Sequence, residues 1–108
     1  MENRRRVYLA GPPGTPATEK LQDAGLDVIT APPEPEDALE WGPWARYALA
    51  LLVSADAVAL QPGTGRSRGL SLICQTAHEL AIPVRSVRGW LTQAGQDAYM
   101  SRILEDRP

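Results

Sequence analysis

Residues 60–70, LQPGTGRSRGL, hold the parts of an anion cradle. Gly63, Gly65 and Gly69 let backbone N–H groups come close to a ligand. A helix starting near Gly69 would aim its positive end at the same place. Ser67 adds a hydroxyl and Arg68 a fork of donors. Such a set suits a phosphate; the plain alternative is a surface loop with solvated arginines. Two common phosphate motifs are excluded. A P-loop needs Lys-Ser or Lys-Thr after its last glycine, and here Leu70-Ser71 follows. The dinucleotide fingerprint follows a first strand with tighter glycine spacing, whereas this loop follows the third.

Other groupings carry less chemistry. Cys74 and His78 lie four apart on a predicted helix, but the chain has no other Cys or His. Two ligands do not make a zinc site, so no metal is expected and Cys74 reads as a small buried thiol. Ser67, His78 and Asp56 are the residue types of a hydrolytic triad. There is no G-x-S-x-G elbow, and His78 lies about three helical turns from Ser67. Glu34, Glu36, Asp37 and Glu40 read as a solvated loop from which one carboxylate can reach a pocket. Trp41 is free to stack on a base or a partner subunit, or simply to be half buried.

These residues need a scaffold. VYLA (7–10), LDVIT (26–30), DAVAL (56–60) and IPVRSV (82–87) read as strands. Helices are predicted from a Thr15 cap with Pro16 to about Ala24, from near Pro43, over 69–81 and over 92–105. In the second helix Trp44, Tyr47, Ala48, Leu51 and Leu52 form the expected buried stripe. APPEPEDALEWGP (31–43) is a Pro- and acid-rich loop. The alternation predicts an α/β fold, a small doubly wound, Rossmann- or flavodoxin-like parallel sheet in order 2-1-3-4 with helices on both faces. Its switch point lies between strands 1 and 3, where the loops 11–16 and 61–69 should face each other across a ligand crevice.

Composition bounds the rest. The 108 residues are 44% hydrophobic, enough for one domain over 1–108. A net charge of −2 argues against nucleic acid as a partner. One cysteine forms no intramolecular disulfide, which points to a reducing compartment. No apolar run reaches the roughly 18 residues of a membrane span. The apolar stretch Val7–Ala10 after Arg4, Arg5 and Arg6 is too short for a signal peptide. A cytoplasmic location is expected, without a membrane partner.

VYLAGP (7–12), Trp44 with Tyr47, ADAVALQPG (55–63), SRG (67–69) and AHELAIPV (77–84) together resemble the nucleoside 2-deoxyribosyltransferase-like fold family, within it a short phage and bacterial branch. The resemblance covers roughly residues 6 to 85. It implies a dimer or larger oligomer and cleavage or transfer of N-glycosidic bonds. It also implies a glutamate four residues after the SRG glycine, attacking the anomeric carbon, and a supporting aspartate eight residues before the DAV aspartate. A carboxylate suits that chemistry because the transition state is oxocarbenium-like.

This chain has Ile73 and Ala48 at those two positions. Glu79, six residues past Ile73, is about 600° of helix further round and points elsewhere. The binding positions remain: Tyr8, Gly11, Pro12, Asp56, Gly63, Ser67, Arg68 and Gly69, with Ile73 and Trp41 as further ligand contacts. The expectation is a cofactor-free, non-catalytic protein that sequesters a nucleotide-derived signal, such as an ADP-ribose derivative or a cyclic nucleotide. A phage sponge acting in the host cytoplasm against defence would fit, as a homodimer. The alternative is an active N-glycosidase or transferase with a substitute carboxylate.

Overall fold

The computed structural model describes residues 5–11, 15–61 and 67–92. The elements are β1 (Arg6–Ala10), α1 (Pro16–Asp23), β2 (Asp27–Ile29), α2 (Ala38–Val53), β3 (Ala57–Leu60), α3 (Arg68–Glu79), β4 (Val84–Ser86) and α4 (Val87–Leu91). All strand pairs are parallel and the order is β2-β1-β3-β4. The expected fold class and strand order are those of the structure. The helix expected over 92–105 lies outside the described residues except Thr92, which caps the end of α4.

Strand periodicity builds the two layers. Side chains of a strand point alternately to opposite faces. Val7, Leu9, Ala57 and Ala59 pack on one face with Leu21 of α1 and Trp90 of α4. Tyr8, Ala10 and Val58 pack on the other with Ala48 and Leu52 of α2 and Ile73 and Ala77 of α3. The central strands are apolar on both faces because helices cover both. No helix among the described residues is long and apolar enough to cross a membrane.

Three local expectations are corrected. Helix α2 starts at Ala38, not near Pro43, because the Asp37 carboxylate caps it by accepting from the Leu39 N–H at 2.7 Å. Pro43 therefore sits inside the helix and donates no bond to the Leu39 carbonyl. Leu39 is 87% exposed, so water can serve that carbonyl. The buried stripe of α2 is Ala45, Ala48 and Leu52, whereas Tyr47 is 54% exposed. The inward face of α2 is thus carried by small alanines and Leu52, and Tyr47 lies on its outer side.

Beyond β4 the chain forms α4 rather than continuing as a strand. Ser86 caps it, accepting from the Gly89 N–H at 3.0 Å. Trp90 anchors it: the ring is buried, and its indole N–H donates to the Val58 carbonyl at 2.7 Å.

Helices α1 and α3 end alike, with a left-handed residue followed by a hydrogen bond back into the last turn. At α1 that residue is Gly25 (φ 89°), and the Leu26 N–H donates to the Leu21 carbonyl. At α3 it is Ala81 (φ 58°), and the Ile82 N–H donates to the Ala77 carbonyl. A Cβ is disfavoured in that conformation. Ala81→Gly should therefore raise stability by about 0.5–1 kcal/mol. The check is a higher urea midpoint with an unchanged slope.

Candidate functional site

Strands β1 and β3 end side by side, with Ala10 opposite Leu60. Beyond them the chain turns at Gly11 (φ 127°), where a Cβ would lie 2.9 Å from the Gln61 side-chain amide. The first residues of the two glycine-rich loops are thus in contact at the switch point, as expected. On the α2–α3 side a pocket of about 300 Å³ opens here. Its walls are Ala10 and Gly11, the loop Ala31–Glu34, Trp44, and the start of α3 with Ser67, Gly69, Leu70 and Ile73.

Glu34 organises this pocket. Its carboxylate accepts from the Trp41 indole N–H at 2.8 Å, the Ser67 hydroxyl at 2.8 Å and the Gly69 amide at 3.0 Å. The start of α3 thus cradles an anion, and that anion is the chain's own carboxylate rather than the ligand phosphate expected of Ser67, Arg68 and Gly69. Gly69 must be glycine: a Cβ there would overlap the Glu34 carboxylate and the Trp44 ring. Burial pushes the Glu34 pKa up. The hydrogen bonds from Trp41, Ser67 and Gly69 and the charge of Arg68 push it down and prevail, so it lies below the ordinary 4.5.

The surrounding rings complete the arrangement. The Arg68 guanidinium lies 3.7 Å above the Trp41 ring centroid, a cation–π contact. Trp41 and Trp44 meet tilted, with centroids 6.1 Å apart. The Trp44 indole N–H donates to the Pro32 carbonyl at 2.7 Å. Beneath the pocket, burial and then the negative charge of Glu34 push the Tyr8 phenol up to about 12, so it stays neutral at physiological pH.

The structure sorts the expected site residues. Gly11, Ser67, Gly69 and Ile73 line the pocket, and Tyr8 is buried in the core cluster that includes Ile73. Trp41 contacts Glu34 and Arg68 rather than lying open for a partner. Arg68 turns away from the pocket toward Trp41 and the acidic segment Glu34–Glu36. Asp56 is not part of the site. It sits at the amino end of β3, where it accepts from the Arg6 N–H at 2.9 Å, about 13 Å of strand away from the crevice. Pro12 and Gly63 lie outside the described residues. Ala48 is fully buried against the sheet and Ile73 is 3% exposed.

The sequence places Glu34 in an acidic loop from which one carboxylate can reach a pocket without saying which, and in the structure Glu34 lines the pocket. The available signal was its setting: Pro32, Pro33 and Pro35 stiffen the chain on both sides of it. Among the described residues no group of three or more His, Cys, Asp or Glu is placed to hold a metal ion. Burial raises the Cys74 thiol pKa, away from a reactive thiolate. Comparison with protein-family models, curated proteins and solved structures finds no match to this chain.

The carboxylate has a pH signature. A pKa depressed on folding contributes stability that is present above the unfolded value and lost as pH falls through the folded one. Stability should therefore drop as pH is lowered through and below 4.5, and Glu34→Gln should remove that component of the acid limb. Urea titrations of both proteins at stepped acidic pH check this.

Proposed function

We propose that this crevice binds the nucleoside part of a nucleotide-derived small molecule and holds it without turning it over. One observation carries the reading. Where the resemblance calls for two carboxylates, the chain has alkyl groups buried in the core, Ala48 and Ile73. Ala48 leaves no room for an ionised group, since an unpaired charge there would be buried against Val58 and Leu52. Glu34 does bring a carboxylate to the pocket, but three donors and the Arg68 charge lower its basicity. That makes it a weaker base and nucleophile. It remains a good binding group. A carboxylate has about four lone-pair sites, so one is left for a ribose hydroxyl. Trp44, Leu70 and Ile73 offer apolar surface to a sugar or base.

On this reading the protein is a relative of the nucleoside 2-deoxyribosyltransferase-like family that has kept binding and lost chemistry. It acts in the cytoplasm as a sponge for an ADP-ribose-type or cyclic nucleotide signal, consistent with a phage protein that blunts host defence. Incubation with such ligands should give a complex of fixed stoichiometry, and heating should return the ligand intact by chromatography.

A second reading, an active N-glycosidase, is favoured by the place of Glu34 beside Ile73 in the pocket. It would be established by release of free base beyond one turnover per site, abolished in Glu34→Gln.

The proposal includes a symmetric homodimer. Trp41 and Trp44 are occupied within the chain, so the pairing surface would be the exposed Leu39, Tyr47 and Val53 of α2. Light scattering at micromolar concentration should give twice the chain mass, and Tyr47→Glu should halve it.

A further inference from the structure

A second cavity, of about 750 Å³, lies on the other side of the switch point, between α1 and α4. The nucleoside site described above does not use it. Helix α1 presents Pro16, Ala17 and Lys20 to it; α4 presents Val87, Arg88 and Leu91 with the same i, i+1, i+4 spacing. The two helices share one core cluster through Leu21 and Trp90, which holds their faces in register. Each therefore turns one cation to a common opening.

The electrostatics are one-sided. Among the described residues no carboxylate lines this cavity, and neither Lys20 nor Arg88 is in an ion pair. Thr15 and Ser86 line it too; the Thr15 Oγ1 is buried, has no hydrogen-bond partner among the described residues and does not cap α1. The Ser86 hydroxyl accepts from the Gly89 N–H and keeps its proton to donate. Two cations without an ion pair among the described residues, with the Ser86 hydroxyl in the same lining, match a multivalent oxyanion. The start of α3 offers no such match, because Glu34 already takes the Ser67 and Gly69 donors there.

We propose that this cavity binds a phosphate-type anion. Resting on the nucleotide reading above, it also takes the phosphates of the ligand whose nucleoside sits on the α2–α3 side. Gly11 lines the first cavity and Gln61 the second, and the two residues touch. The Gln61 side chain fills the space beside Gly11, so a ligand that reaches both cavities would pass over Gln61.

Pyrophosphate is the direct probe, because it needs no nucleoside site. In calorimetry on the full chain, wild type should bind it. Lys20→Ala with Arg88→Ala should weaken binding about tenfold or more, and Glu34→Gln should leave it unchanged. Both cations are on exposed positions, so circular dichroism should show the fold intact. A phosphate-free nucleoside should bind the double variant as it binds wild type. Failure of any nucleoside to bind removes the nucleotide reading while the pyrophosphate result still supports the anion site. Wild type that ignores pyrophosphate, or a double variant that binds it as wild type does, overturns the proposal. So does Glu34→Gln that binds it tenfold more tightly, since the anion would then be seated on α3.

Discussion

The upper end of this molecule depends on how one carboxylate is accommodated. Glu34 lies on the loop between β2 and α2, yet its oxygens join Trp41 of α2 to Ser67 and Gly69 at the start of α3. A helix begins with N–H groups that have no intrahelical partner and with partial positive charge. Glu34 answers both needs. Gly69 follows as a steric requirement, since the carboxylate and the Trp44 ring leave no volume for a Cβ. The stacking of Arg68 on Trp41 then sets a cation close to the half-buried acid without a direct ion pair.

That arrangement divides the carboxyl ends of the strands into two regions of opposite character. On the α2–α3 side the surface is apolar and acidic, with Ile73, Leu70 and Trp44 around Glu34. On the α1–α4 side it is cationic, with Lys20 and Arg88. Among the described residues, Gly11 lines one region and Gln61 the other. An anion approaching the strand ends is repelled from one side and attracted to the other. The helix start that looks most like a phosphate site is thus the less favourable place for one.

The core shows why position 48 does not take an acid. Ala48 has no exposed surface and shares a core cluster with Leu52, Tyr8 and Val58. Close packing leaves no polar partner for an acid at that position.

Much of the fold was legible in the residues. Four apolar runs separated by helical periodicity require a parallel sheet, and crossover handedness leaves few strand orders, so 2-1-3-4 followed. Pro16 and Gly25 bounded α1 because proline and glycine act locally, whereas the hydroxyl cap expected of Thr15 is not made. Ser67 and Gly69 were legible as an anion cradle for the same reason. What the cradle holds was not, because Glu34 is 35 residues from Gly69 and looks like any loop acid. Asp56, chosen by resemblance, lies at the wrong end of its strand, a fact that only chain direction through the sheet decides. Lys20 and Arg88 have no relation along the chain at all. They share an opening because α1 and α4 cover the same sheet face, and pairing across such separations is a property of tertiary packing alone.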